Sequence, residues 1–309
     1  MRTKQELTSA IHERRRAALL VNAHSRRGRA LYEQARQRVD AAGFDLLGVF
    51  PVDDPRELQN SLEAATDLGP DLLIAGGGDG TISAAARHLA HRDIALGVLP
   101  LGTTNNFART LGIPIEVDSA VEILETGKVI DVDLGLAGDL PFTNHVGVGL
   151  SAEIFAKAPP RLKKLIGRLA YPATALALLT RHRPMRATVR ADGRQHEYLT
   201  HQLYIANGGF HAGRPITADS DADDRLLVAY PVGDARRLRL LRQTARNAAT
   251  GHLRSHRDDP FLATDEISIE TDRPEPVEVD GEVHGYTPLR IGLAANALRV
   301  MAAADAIDR

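Results

Sequence analysis

The most constraining feature of the chain is the run Gly76-Gly77-Gly78-Asp79-Gly80-Thr81, which follows a strand-like segment, Asp71 to Ala75, and precedes a helix-like one, Ile82 to Leu89. A short apolar strand, a glycine turn and a helix in that order form the repeating unit of a parallel α/β sheet. Glycines at the carboxyl end of such a strand let backbone N–H groups approach phosphate oxygens closely, and the following helix N-terminus adds partial positive charge. The run is not a Walker A loop, because no Gly-Lys-Ser/Thr follows, and it lacks the Gly-x-Gly-x-x-Gly dinucleotide spacing. Asp79 beside a polyanion calls for a metal, a sugar hydroxyl or a proton-transfer role. Read structurally, it caps the helix.

The same alternation surrounds this loop. Ala17 to Asn22, Phe44 to Val49 and Ile94 to Leu99 read as strands. Leu31, Ala35, Val39 and Ala42 recur at helical spacing, as do Leu58, Leu62 and Ala65, and Val117 to Glu125 is a further helix stopped by Gly127. Two more loops follow strands of this sheet. Asn22-Ala23-His24-Ser25-Arg26-Arg27-Gly28 brings polar groups and two arginines to a helix start. Leu99 to Arg109 carries Gly102, Thr103 and Thr104, hydroxyls suited to a cap or to a ligand. Three such loops after strands of one sheet lie on the same edge.

After residue 130 the pattern turns to strands. These are Val129 to Leu136, Phe142 to Val148, Arg186 to Ala191, Tyr198 to Ala206, Leu226 to Tyr230, Ile267 to Glu270, Pro276 to Val279, Leu289 to Leu293 and Leu298 to Met301. Asp192-Gly193 suits a tight hairpin. Helical inserts fall at about 160–180 and 234–250, placed by periodicity alone. The expectation is an α/β domain over 1–130 and a β-rich domain over 131–309, with C-terminal residues free to pack back on the first, and a cleft between them.

Composition narrows the function classes. The 309 residues are 43% hydrophobic and 25% charged, as in ordinary globular chains, and with no cysteine there is neither disulfide nor thiolate chemistry. A net charge of −2 gives no electrostatic footprint for nucleic acid, so no nucleic-acid partner is expected. The N-terminus lacks an apolar signal region, and Leu169 to Thr180 is too short to span a bilayer, which takes about 20 apolar residues. The expected location is cytoplasmic, extending to the inner face of the membrane if the basic, leucine-bearing segment Lys157 to Arg186 meets lipid.

Taken with Phe142 to Gly149, Asn207-Gly208-Gly209 and Asp280-Gly281-Glu282, these loops make the chain resemble the diacylglycerol kinase catalytic-domain superfamily, which includes bacterial lipid kinases and sphingosine kinases, with NAD kinases as distant relatives. The resemblance spans about Ala17 to Val300 and implies a doubly wound N-terminal α/β domain followed by a β-sandwich-like one. It implies ATP with Mg²⁺, and nucleotide contacts at Asn22, Ala23, His24, Ser25, Arg26, Gly77, Gly78, Asp79, Gly80, Thr81, Ile82, Ser83 and Thr103. It implies a lipid acceptor, transient contact with a membrane surface, and Glu282 as general base; Asp280 flanks the same glycine, so of these two catalytic candidates one can take a proton while the other engages Mg²⁺ or holds its neighbour. It also implies a structural Mg²⁺ held by Asp224 and the carbonyls of Asp221 and Leu226. By residue type alone, Asp280-Gly281 is equally a hairpin turn and the acidic run Asp219 to Asp224 equally a charged loop.

The chain departs from the family pattern at Ser83-Ala84, where Asn-Glu is usual, at Asn106 and Val228, where Asp is usual, and at Arg225, where Gly is usual. Two carboxylates are thus missing near the nucleotide, and Arg225 stands where it would crowd a cation. The alternatives are a soluble NAD-type kinase, against which the Gly102 to Arg109 motif argues, and a nucleotide- or lipid-binding protein without turnover. A homodimer is left open.

Overall fold

Four parallel strands, β1 (Arg16–Asn22), β2 (Asp45–Val52), β3 (Leu72–Gly77) and β4 (Ala95–Pro100), stand in the order β2-β1-β3-β4. They belong to a computed structural model that describes residues 1–23, 26–157, 182–208, 210–211, 214–215, 225–232 and 262–307. Strands β3 and β4 are buried along their whole length, which is why they read as unbroken apolar runs. Helices α2 (Arg26–Ala41), α3 (Leu58–Asp67), α4 (Asp79–Leu89) and α6 (Val117–Thr126) connect and cover them, and a short helix, α5 (Asn106–Thr110), follows β4. The chain runs outward from β1 to β2 and then returns across β1 to β3. The direction of winding therefore reverses between β1 and β3, and open α/β sheets take ligands outside the carboxyl ends of the strands at such a switch.

A helix that the sequence reading did not anticipate precedes the sheet. In α1 (Lys4–Arg14), Thr3 and Glu6 form a reciprocal capping box, and Leu7, Ala10 and Ile11 are buried. Arg2 pairs with Asp71 and Asp93, and Arg299 pairs with Asp93, so the N-terminal segment is tied to the parallel sheet and, through Asp93, to the C-terminal segment.

The parallel sheet continues into the second half of the chain. The C-terminal strand β18 (Leu289–Ala302) joins β4 through Val300 and Leu96, and antiparallel β15 (Ile267–Thr271), β8 (Met185–Ala191) and β9 (Arg194–Thr200) extend the order to β9. Strand β5 (Lys128–Ala137) pairs with β18 and with β6 (Leu140–Phe142). The expected segments Leu289 to Leu293 and Leu298 to Met301 are thus one strand, with an irregularity between Ala294 and Leu298. Near its end, Ala297, Leu298, Val300, Met301 and Ala302 lie in the core of the α/β part, while Ile291 lies in the second core.

A second, antiparallel sheet has the order β14 (Leu262–Thr264), β13 (Leu227–Val232), β10 (Gln202–Asn207), β7 (His145–Gly149), β16 (Pro276–Val279) and β17 (Glu282–Tyr286). Its apolar face packs on the antiparallel end of the first sheet through Val146, Val148, Leu203, Ile205, Val277, Met185, Val189 and Ile269. Two more expectations are corrected here. Tyr198 to Ala206 is not one strand: the chain changes sheets at His201, where the Thr200 hydroxyl donates to the carbonyls of Gln202 and Val232. Phe142 to Val148 is likewise interrupted, by a turn at Thr143-Asn144. Asp192 and Gly193 have φ of 51° and 70°, the left-handed pair that a two-residue hairpin requires. The helical inserts expected at 160–180 and 234–250 lie outside the described residues, as does most of the basic segment 157–186.

The sheet change also buries a histidine pair. His182 Nδ1 lies 2.9 Å from His201 Nδ1, so one neutral ring donates to the other. Burial pushes His182 down from 6.5 to about 4. The unfolded chain therefore binds the proton more readily, and this stabilisation is present above pH 6.5 and lost as pH falls toward 4. The expected result is a melting temperature that drops across this window in wild type and drops less in His182→Gln. Parallel pH curves for the two proteins would contradict it.

Candidate active site

Asn22 at the carboxyl end of β1 meets the loops that follow β3 and β4. Across the β1/β3 switch, Asn22 Nδ2 donates to Thr81 Oγ1 at 3.1 Å. The glycines permit a close approach of the next two loops. A Cβ on Gly102 would lie 2.4 Å from Gly78 Cα, and one on Gly77 would lie 2.6 Å from Thr81 Cβ. Gly78 is the N-cap of α4 without any side chain to fill the cap. Helix N-termini leave several N–H groups without intrahelical partners, so this end is suited to an anion.

Asp79 fastens the second loop to the first. Its Oδ2 accepts from Thr104 Oγ1 at 2.6 Å and its Oδ1 from the Asn106 N–H at 2.6 Å. Asn105 stands at φ 48° and wraps its side chain on the same loop, accepting from Gly102 N–H at 2.9 Å and donating to the Pro100 carbonyl at 3.2 Å. The sequence reading passed over Asn105. Its signal was asparagine's tolerance of left-handed backbone beside a glycine.

The expected nucleotide positions divide by exposure. Gly78, Asp79, Gly80 and Thr103 are accessible, whereas Gly77, Thr81, Ile82 and Ser83 are buried. Ile82 belongs to the hydrophobic core. Ala23 is buried and its N–H donates to the Val52 carbonyl at 2.9 Å. Arg26 opens α2. His24 and Ser25 lie outside the described residues.

Ser83 faces the other half of the molecule. Its hydroxyl donates to Asp280, which also accepts from Thr143 N–H (2.9 Å), Thr143 Oγ1 (3.1 Å), Asn144 N–H (2.9 Å) and His145 N–H (3.1 Å). Five donors thus converge on one carboxylate, and three of them are the backbone of the turn between β6 and β7. Asp280 at φ 48° and Gly281 at φ 89° form the hairpin that leads into β17. The hairpin and site readings of Asp280-Gly281 describe the same residues: the turn joins α4 of the α/β part to the β-rich part. Glu282 follows it, with a side chain 70% exposed and 3.5 Å from His284 Nε2.

Behind the turn lies a buried pair missed at the level of sequence. The side chain of Glu278 is wholly buried, with Oε1 2.9 Å from His145 Nε2. Burial pulls the His145 imidazole down, but the Glu278 charge, supported by Asp280 and Asp79, more than reverses this and sets it above the ordinary histidine value. On the same rung, burial raises the Tyr204 hydroxyl above its usual range. Asn207 N–H donates to the Asn144 carbonyl at 2.9 Å, and its Nδ2 to the Asp133 carbonyl at 3.0 Å. At Gly208, φ +98°, a Cβ would come within 2.8 Å of Thr110 Cγ2 on α5.

The expected structural metal cannot be built from the described residues. Asp221 and Asp224 lie outside them, Leu226 is exposed, and Arg225 adopts φ 56°. Among the described residues no group of three or more histidines or carboxylates could hold a metal ion. No helix among them is long and apolar enough to cross a membrane.

Comparison with known proteins bears on both halves. A family profile described as diacylglycerol kinase catalytic domain matches residues 16–137, and one described as YegS C-terminal NAD kinase beta sandwich-like domain matches residues 144–302. A diacylglycerol kinase of Bacillus subtilis is 28% identical over 285 residues, 89% of this chain and 92% of that one. A probable lipid kinase YegS-like of Pseudomonas fluorescens is 31% identical over 279 residues, 88% of this chain and 91% of that one. An uncharacterized Synechocystis protein is 27% identical over 252 residues, 80% of this chain, which spans 58% of that relative's length. The crystal structure of a putative diacylglycerol kinase from Bacillus anthracis superposes with a TM-score of 0.77 at 22% identity, covering 95% of this chain and 97% of that one, a likeness of fold.

Proposed function

We propose an ATP-dependent lipid kinase, on the premise that this chain belongs to the diacylglycerol kinase catalytic-domain superfamily and is a phosphotransferase with an alcohol acceptor. The observation that carries the finer reading is the Asp280 junction. It ties α4, the helix that follows the phosphate-type glycine loop, to the carboxylate-bearing turn of the second domain. In this reading Gly78 to Gly80 and the α4 N-terminus receive the phosphates of ATP, with Asn22, Thr103 and Arg26 around them. A Mg²⁺ ion, when bound, supplies charge neutralisation there, and Asp79 is the carboxylate of that loop that fits it.

The acceptor is a hydroxyl of a diacylglycerol-like lipid, drawn from a membrane surface. Glu282 takes the hydroxyl proton, the acceptor oxygen bonds to the γ-phosphorus, and the bond to the β–γ bridging oxygen breaks, releasing ADP. Asp280 accepts from five groups and so acts by holding the turn; in this reading Glu282 alone takes the proton. The test is transfer of radiolabelled γ-phosphate from ATP with Mg²⁺ to lipid extracts and to soluble acceptors including NAD. A labelled organic-phase product is expected. A labelled soluble product would move the protein to the small-molecule branch. ATP binding without any product would mean a binding protein, with Ala84, Asn106, Arg225 and Val228 as the first positions to revert.

A further inference from the structure

A carboxylate with no solvent exposure needs a partner on each oxygen. In Glu278, Oε2 accepts from the Gly281 N–H at 2.8 Å, and Oε1 is left to an ion pair with the His145 imidazole, whose Nε2 lies 2.9 Å away. Space for it comes from Gly147 on the neighbouring strand, where a Cβ would sit 2.6 Å from Glu278 Oε1. The turn it touches needs two left-handed residues, which glycine supplies freely at Gly281 (φ 89°) and Asp280 (φ 48°) adopts at some cost. A non-glycine residue in that region persists only where its surroundings over-determine it. Asp280 is fixed by its five donors. The peptide in the middle of the turn, between Asp280 and Gly281 and one residue before Glu282, is held through its N–H by Glu278.

That hold matters because Glu282 has little packing of its own. It begins β17, an edge strand exposed at every residue. The aim of its side chain is therefore set by the backbone before it. We propose that Glu278, braced by His145, is the positioning residue that aims Glu282 into the cleft. The proposal rests on the kinase reading for its catalytic consequence, but not for the clamp itself.

Two measurements on the full chain separate these. In Glu278→Ala, amide hydrogen exchange at Gly281 is expected to quicken at least tenfold, with the β7 amides unchanged. In Glu278→Gln, which keeps an oxygen for the Gly281 N–H, exchange should stay near wild type. In phosphate transfer, Glu278→Ala should lose at least thirtyfold in kcat while the KM for ATP stays within twofold, and Glu278→Gln should recover most of the loss. If Glu278→Ala does not fold, His145→Asn serves instead, with at least threefold faster exchange at Gly281 and a fall in kcat at constant KM. Unchanged exchange at Gly281, or a loss divided equally between kcat and KM, would overturn the proposal. Faster exchange in a chain whose wild type phosphorylates no acceptor would overturn the kinase reading alone.

Discussion

Glu282→Gln is expected to fold as wild type and to lose about 10²–10⁴-fold in kcat, the usual contribution of a positioned general base. Both halves of the expectation follow from the surroundings of the side chain. It is 70% exposed and meets His284 at 3.5 Å, so the isosteric amide removes charge without opening a cavity. Exposed substitutions of this kind usually change stability by about 0.5 kcal/mol or less. The glycine loop lies on another domain face, so ATP affinity should not move. Circular dichroism, ATP titration and γ-phosphate transfer on one preparation therefore give a clean pattern: normal fold, normal binding, lost turnover. Turnover at the wild-type rate would remove Glu282 from the mechanism and leave no other carboxylate of that turn free to act, since Asp280 is engaged by five donors.

What the sequence revealed and what it hid follow from the range of the interactions. Strands β1, β3 and β4 are buried on both faces and covered by helices, so each stands out as an apolar run between loops. The glycine loop was equally legible, because the need for close backbone approach is written in consecutive residues. The change of sheet at His201 was hidden, because Thr200-His201-Gln202 carries no glycine or proline to mark a break, while the strand partners change there from β8 to β7 and β13. The single strand β18 looked like two because Ala295 to Ala297 interrupt its pairing and lack strand-forming side chains. Glu278 was hidden for a stronger reason. A glutamate between two valines in a strand pattern reads as the solvent side of an alternating strand. Its burial depends on His145 and Gly147 from a distant stretch of chain, which no local pattern encodes. Asp280 was legible as the partner of Glu282 across one glycine, but not the five donors that make it the joint between the two halves. Ser83 looked like the loss of a family asparagine, and its hydroxyl proves to be the first domain's half of that joint.

Gly102→Ala is the second change with a large expected effect, and it acts on the nucleotide side. The added methyl would stand 2.4 Å from Gly78 Cα and 2.6 Å from Asn105 Oδ1. Neither neighbour is the free end of a flexible side chain: one is backbone and the other is tied to Pro100 and Gly102. The two loops must therefore part. Their separation pulls on both Asp79 hydrogen bonds, to Thr104 and to Asn106, which join them at 2.6 Å. Overpacking of this kind costs about 1–3 kcal/mol, so the melting temperature should fall by a few degrees. ATP affinity should fall further than stability, by at least about tenfold or 1.4 kcal/mol, because the accessible face from Gly78 to Gly80 is the part displaced. Gly80→Ala is the matched comparison for stability. Nothing lies within 4 Å of a Cβ at Gly80, and alanine is the better helix former, so that variant should melt no lower than wild type. Unaltered ATP affinity in Gly102→Ala, measured by calorimetry on folded protein, would show that the contact between the two loops does not shape the nucleotide site.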